Sequence, residues 1–346
     1  MDAASRTESR KSEHIRINLE EDVRSKGVST GLERYRLPHV ALPELALSEV
    51  DLSTSFLGRS LRAPILVSCM TGGVSQGHEI NHRLALAAEA MGCAIGVGSQ
   101  RAAVENPELE RFFQLRDAAP SALVLANLGA VQLNYGYGVE ECRRAVESIQ
   151  ADALVLHLNP LQEALQAEGD TNFAGLLRKI EAVCSALEAP VVVKEVGWGI
   201  SGAVARQLVS VGVAGIDVAG AGGTSWSEVE RHRAPTPLLR RVSGTFAGWG
   251  IPTAECVREV RSVLPHTPLI ASGGMLTGVD AAKAIALGAD LVGFASPLLR
   301  AAAQSEEAAH ELLRALIEEL RISMFCTGTR TISDLQHLHL LPAHSE

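Results

Sequence analysis

Eight short apolar runs, each closed by glycine or a polar residue, constrain this chain more than any other feature. They are APILVS from Ala63, CAIGVGS from Cys93, ALVLAN from Ala122, ALVLHLN from Ala153, PVVVKEV from Pro190, GIDVAG from Gly215, PLIASGG from Pro268 and LVGFAS from Leu291. Most starts lie about 30 residues apart, room for one strand, one helix and two short loops. Runs this continuously apolar suit parallel strands buried on both faces. Between the first two, Ile80, Leu84, Ala87, Ala88 and Met91 share one helical face that stops at Gly92. Gly212 and Gly288 stand at the same helix-to-strand junction, where a left-handed residue ends a helix. Eight such units predict a closed (β/α)8 barrel, a single TIM barrel, in preference to an open doubly wound sheet. Residues 1–62 then form an N-terminal extension and residues 63–346 the barrel. A further stretch of about fifty residues separates the sixth and seventh starts, and both interruptions are candidates for lids.

With 47% apolar and 21% charged residues, a chain of 346 can bury a large core. Its 31 basic against 40 acidic side chains, net -9, argue against an extended nucleic-acid footprint or an adhesive basic face. A small molecule is the expected partner, with no nucleic acid and no membrane, in a homo-oligomeric assembly. The six cysteines contain no CxxC pair, so neither a zinc site nor a disulfide framework is written here. They read as thiols of a reducing compartment. The first dozen residues lack an apolar signal core, and no apolar run reaches the roughly 20 residues of a membrane span. A cytoplasmic location is expected.

In such a barrel the active site lies where the strands end. Those ends are polar: Met70-Thr71-Gly72-Gly73, Ser99-Gln100-Arg101, Asn127, then His157 to Glu163, Lys194, Gly220 to Thr224, Gly273-Gly274 and Ala295-Ser296. The last two, each followed by a helix start, offer backbone N–H groups and helix N-termini to a phosphate. Lys194 sits in an apolar strand, where a lone ammonium is expensive. It faces a cofactor or pairs with Asp217 or Glu195. Glu163 suits a hard cation such as Mg²⁺ held by one carboxylate plus substrate phosphates, or is an exposed glutamate at a helix start. His157 and Gln162 could donate to an anion or satisfy neighbouring backbone groups. Arg101 at a strand end calls for a carboxylate or phosphate. Arg10 and Lys11 read as part of a mobile polar tail.

Taken together, RKSEH (Arg10 to His14), MTGG (Met70 to Gly73), GSQR (Gly98 to Arg101), HLNPLQE (His157 to Glu163), VVKEVGWG (Val192 to Gly199), GAGGTSW (Gly220 to Trp226) and WGIPT (Trp249 to Thr253) resemble the type 2, FMN-dependent isopentenyl-diphosphate isomerases. The resemblance runs from about Arg10 to Asp334. It implies FMN contacts at Met70, Thr71, Gly72, Ser99, Asn127, Lys194, Thr224, Gly273, Gly274, Ala295 and Ser296. It implies a substrate diphosphate at Arg10, Lys11, Ser99, Gln100, Arg101, His157, Asn159 and Gln162, with Glu163 holding Mg²⁺ against it. Gln162, Lys194 and His157 are the implied catalytic residues. Leu276 departs from the polar residue usual after the second-last glycine pair. The implied reaction moves a double bond by a 1,3-proton shift, with NADPH reducing a flavin that acts as acid and base. The Arg10 tail would close on the substrate and order only when diphosphate offsets the entropy of fixing it. The rival reading, an FMN-dependent 2-hydroxy-acid oxidase or dehydrogenase, needs a histidine base with arginines near the late strands, for which His232 and Arg233 are the nearest candidates.

Overall fold

The computed structural model describes residues 3–343. All eight apolar runs are strands: β1 (Ile65–Val67), β2 (Ala94–Gly96), β3 (Val124–Gly129), β4 (Ala153–His157), β5 (Val191–Lys194), β6 (Gly215–Asp217), β7 (Leu269–Ser272) and β8 (Leu291–Phe294). They close in chain order into one parallel barrel, β8 returning to β1 through Val292 opposite Ile65 and Phe294 opposite Val67. The helix Ser75–Met91 stops at Gly92 with φ 66°, and Gly212 and Gly288 take φ 95° and 115° at the equivalent junctions. Among the described residues no helix is long and apolar enough to cross a membrane.

The continuous apolarity of the runs follows from their two destinations. Successive side chains of a strand point to opposite faces. Val67, Ile95, Val124, Leu154, Val193 and Val292 pack outward under the helices. Their neighbours Leu66, Ala94, Leu125, Val155, Val192, Ile270 and Leu291 fill the lumen. A hairpin of Thr54–Phe56 and Arg59–Leu61 sends Phe56 and Leu61 into the same lumen cluster. Its two-residue turn, Leu57 at φ 48° and Gly58 at φ 79°, has the positive angles that match a hairpin's twist.

The N-terminal extension, expected as a polar tail, carries a helix. Residues Ala3–Glu20 form a helix whose Ile15 and Ile17 are buried, the latter against Val23 and Val229. The segment that follows is laid along the loop after β6: Ser25 N donates to Gly223 O at 2.8 Å, Ser225 N to Val23 O at 2.8 Å and Lys26 N to Ala247 O at 3.0 Å. The long loop after β6 is itself helical over Trp226–Arg233 and Pro237–Thr245 before the helix Thr253–Val263. A Cβ on Gly222, at φ 121°, would fall inside the backbone of Ser29 and Thr30.

Gly222→Ala should therefore lower the melting temperature well beyond Gly58→Ala. The latter has open space at φ 79° and should lose only the ~1–2 kcal/mol of a side chain in the left-handed region. Equal losses in thermal unfolding would show that the extension is not seated as described.

Candidate active site

The parity that fills the lumen with apolar residues also builds the floor of the site. Two residues beyond Leu66 stands Ser68, beyond Leu125 Asn127, beyond Val155 His157, beyond Val192 Lys194, beyond Ile270 Ser272 and beyond Leu291 Gly293. All six line a cavity of about 710 Å³ at the carboxyl ends of the strands, within the range of small-molecule sites. Arg10, Lys11 and His14 of the helix Ala3–Glu20 reach the same cavity from above.

At its β7 and β8 side the wall is glycine-rich. Gly273 and Gly274 hold φ 98° and 74°, and helices start at Gly278 and Ser296. A Cβ on Gly273 would collide with the backbone of Gly220, and one on Gly274 with Thr30 and Gly222. The glycines thus let three backbone segments meet and leave their N–H groups open to an anion. Thr224, Ala295 and Ser296 complete this side, with Leu276 exposed at its rim. Ser68 Oγ is buried, faces the cavity and has no partner. An unpartnered hydroxyl, a glycine cradle and two helix N-termini fit a phosphate-bearing flavin. Met70, Thr71, Gly72 and Ser99 line the wall between them and the opposite side.

That opposite side, over β2 to β4, carries the charge. Arg101 Nη1 lies 2.7 Å from Asp170 Oδ2 and its Nε 2.8 Å from Glu105 Oε1. Gln132 Nε2 donates to the same Asp170 oxygen at 2.9 Å. Glu163, in the first turn of the helix Pro160–Leu165, is buried and not the exposed glutamate that position allowed. Its Oε1 accepts from Asn159 Nδ2 at 2.8 Å and its Oε2 from Asp170 N at 2.7 Å, while burial pushes its carboxyl above the usual range. Asn159 Oδ1 is buried and unpartnered. Among the described residues no three His, Cys, Asp or Glu side chains form a metal cluster. One carboxylate beside a free amide oxygen fits a hard cation that takes its remaining ligands from an anionic ligand and water. Lys11 Nζ donates to Ser99 O at 2.9 Å and lies over the Phe113 ring, and Arg10 Nη1 donates to Gln166 Oε1 at 3.2 Å. Burial, then the neighbouring Arg10, brings Lys11 down to about 7.

Gln100 is the one expected contact residue that the cavity does not include. Wholly buried, it donates to Ala145 O at 2.8 Å and accepts from Asn127 N at 2.9 Å. It therefore pins β3 and does not line the cavity. Asn127 Oδ1 in turn lies 2.8 Å from His157 Nδ1. Burial, then Lys194, holds His157 down at about 3, so the ring is neutral. Lys194 Nζ donates to Glu195 O at 2.6 Å, and among the described residues no carboxylate lies within the 4.0 Å of an ion pair. The expected pairing with Asp217 or Glu195 is not formed. Asp217 instead accepts from Ser272 Oγ at 2.6 Å, and Glu195 accepts from the N–H groups of Val196, Gly197 and Trp198.

One group that ties several of these residues together, Glu230, was not legible in the sequence. Glu230, buried on the helix Trp226–Arg233, accepts from Gln162 Nε2 and Gln166 Nε2, each at 3.1 Å, and from Arg233 Nη1 at 2.7 Å. His14 Nε2 lies 3.3 Å from it, at ion-pair distance without hydrogen-bond alignment, and the His14 ring meets Trp226 edge-on at 5.0 Å. Burial would raise the Glu230 carboxyl, but His14, Arg233 and Gln162 hold it below the usual range. Arg233 pairs with Glu13 and Glu230 outside the cavity, and His232 lies 3.9 Å from Glu21. Neither supplies the base of a hydroxy-acid oxidase.

The profile of the FMN-dependent dehydrogenase family matches residues 142–342. The isopentenyl-diphosphate delta-isomerase of Nostoc sp. is 54% identical over 334 residues, 96% of this chain and 95% of that protein. The enzyme of the same name from Synechococcus sp. is 58% identical over 320 residues, 92% of each chain. That from Oceanobacillus iheyensis is 51% identical over 328 residues, 95% of this chain and 94% of the other. Among solved structures, a lactate oxidase of Pediococcus acidilactici superposes with TM-score 0.69 at 17% identity, covering 99% of this chain and 94% of that one. A mandelate oxidase variant does so at 0.66 and 19%, covering 99% and 100%. The oxidases share the fold.

Two half-buried bases, Lys11 and His14, seat the amino-terminal helix, and desolvation lowers both. The undocked helix therefore binds more protons than the docked one, and docking strengthens as pH rises. For Lys11 the window runs from about 7 up to its ordinary 10.5, and for His14 it lies below 6.5. Acidifying the ligand-free protein from about pH 10.5 to 7 should progressively loosen the helix and change Trp226 emission in a Trp198→Phe, Trp249→Phe background, and Lys11→Met should remove that part of the response. A flat emission profile across this range would rule out the seating.

Proposed function

The chain belongs to the FMN-dependent isopentenyl-diphosphate delta-isomerases, and from that premise we propose that it interconverts isopentenyl and dimethylallyl diphosphates with reduced FMN and Mg²⁺ in this cavity. The observation that carries the reading is the division of the cavity. Its glycine side faces, across the barrel, a side holding Arg10, Lys11, Arg101 and the single carboxylate Glu163. One phosphate-bearing cofactor and one short substrate with a diphosphate need such a division.

Arg10, Lys11 and Arg101, with Asn159 and Ser99, would bind the diphosphate, and Glu163 would hold Mg²⁺ against it. The binding free energy of that end would position a small apolar group that offers little of its own. When bound and reduced by NAD(P)H, the flavin would supply an electron-rich ring able to give and take a proton. The chain's part is to keep the remainder of the site inert to proton exchange. His157 stays neutral down to about 3 and the Cys69 thiol is pushed up to about 11, both chiefly by burial. Gln162 is locked at both ends, its Oε1 accepting from Asn159 at 3.1 Å and its Nε2 donating to Glu230 at 3.1 Å. It would orient the alkene end without exchanging charge. Lys194, fixed by the Glu195 carbonyl and unpaired, would place its positive charge beside the cofactor, where preorganised charge in a dry site has most effect.

Reduced enzyme should turn over isopentenyl diphosphate many times for each NAD(P)H consumed, and in D₂O the product should carry deuterium on the newly formed methyl carbon. Glu163→Gln should lose the response to Mg²⁺ while keeping its flavin. Lys194→Ala should slow turnover by a factor corresponding to about 2–4 kcal/mol. Product formed only one-to-one with reductant, or peroxide released from a hydroxy acid by the oxidised enzyme at a comparable rate, would exclude the isomerase reading.

A further inference from the structure

At the mouth of β8 the cavity wall carries a guanidinium without an acidic partner. Arg300 lies one turn into the helix Ser296–Gln304, beside the side that suits a cofactor phosphate. Its Nη1 donates to Leu19 O at 2.9 Å and its Nη2 to Asn18 O at 2.6 Å. These carbonyls belong to the last turn of the helix Ala3–Glu20, where backbone acceptors lack partners within the helix. Among the described residues no carboxylate oxygen comes within 4.0 Å of Arg300. Arg24, the other arginine on this rim, is closed on Asp22, with Nε 2.8 Å from Oδ1 and Nη2 3.2 Å from Oδ2. A second hollow of about 290 Å³ runs along the rim between Arg24, Thr224, Ser296 and Arg300. The turn after Gly273-Gly274 brings no cation, since Leu276 stands 63% exposed there.

A phosphate dianion on this side would meet backbone N–H groups, hydroxyls and helix N-termini. Its remaining negative charge calls for a cation. We propose that Arg300 is the cationic partner of the flavin phosphate and that the same guanidinium, through the Asn18 and Leu19 carbonyls, ties the seating of the amino-terminal helix to that phosphate. The inference rests on the phosphate lying between the ends of β7 and β8. A guanidinium has five N–H donors in a fixed fork. Two are used on the carbonyls, so Arg300 can meet a phosphate without releasing the helix. Arg10 and Lys11 ride on that helix, so cofactor loading would preset the clamp that receives the substrate.

The test is FMN and riboflavin binding to the full-length chain freed of flavin, followed by quenching of flavin fluorescence. Arg300→Met should weaken FMN by about 10–100-fold and leave riboflavin within about twofold, the loss expected for a charge-assisted bond. Arg24→Gln, whose charge Asp22 already offsets, should change FMN less than about threefold. FMN but not riboflavin should slow tryptic cleavage within Ala3–Glu20, and Arg300→Met should abolish that protection. Arg300→Lys keeps the charge without the fork and should recover part of the affinity, which guards against misfolding of the methionine variant. An unchanged preference for FMN over riboflavin in Arg300→Met overturns the proposal, as does equal protection of the helix by both flavins. Ser296→Asp, which adds a negative charge to the cradle, separates the two levels. If it too leaves the preference intact, the phosphate lies elsewhere and its placement fails. If it alone abolishes the preference, the placement stands and the role of Arg300 fails.

Discussion

Strand parity is the constraint on which the rest of this structure depends. Because side chains alternate between two faces, the residue that seals the lumen at Leu125 dictates that Asn127 stands above it, and the same holds from Val155 to His157 and from Val192 to Lys194. A ring of polar groups therefore rests directly on an apolar plug. Its members have little water to lean on, and each needs a partner or a ligand. Asp217 takes Ser272 Oγ, Lys194 takes the Glu195 carbonyl, and His157 takes Asn127. Ser68 has no partner among the described residues. The dry floor explains why His157 is held neutral and Cys69 protonated, and why the charges that remain are informative.

Above the floor the walls are set by backbone meeting backbone. Gly222, Gly223, Gly273 and Gly274 lie so close to one another, to Gly220 and to Ser29 and Thr30 that no side chain could be added, and Gly220 is closed off by Thr253. Residues 23–30 are for this reason part of the barrel's mouth and not a detachable lid. The helix before them is different. It is held by Ile15 and Ile17, by the polar contacts of Arg10, Lys11 and His14, and by Arg300 at its end. An element seated partly on charges can respond to a ligand's charge, whereas one seated on interlocked glycines cannot.

The sequence made the barrel and most of the site readable because both are local properties. A strand end is visible from its apolar run, and the residues beyond it reach the cavity by geometry alone. Gln100 escaped that logic because Ser99, Gln100 and Arg101 leave β2 in an irregular turn, where composition does not say which side chain points inward; burial turns Gln100 toward Ala145. The amino-terminal helix was unreadable for another reason. Its polar sequence has weak amphipathicity, so tertiary contact, not propensity, makes it helical. Glu230 joins Gln162, Gln166 and His14 across 64 to more than 200 positions of sequence, and no spacing rule spans such distances. Glu163 was ambiguous in one dimension, exposed or ligating, and only the chain folding back at Asp170 buries it.

The three cations on the β2 to β4 side are held in three different ways, and the difference bears on how a doubly anionic ligand would be received. Arg101 is fixed by two carboxylates, Asp170 and Glu105, so its charge is largely offset and its position set in advance. Among the described residues, Arg10 hydrogen-bonds the amide oxygen of Gln166, and Lys11 hydrogen-bonds a backbone carbonyl and lies over an aromatic ring. For these two the charged state is the expensive one in the closed structure, as the fall of Lys11 to about 7 records. A diphosphate entering the cavity would remove that cost by supplying the missing counter-charge. The anion's largest gain would thus come from the groups on the amino-terminal helix, while the fixed arginine would set where the anion sits. On this arrangement ligand binding and seating of the helix would be coupled through the charges of Arg10 and Lys11.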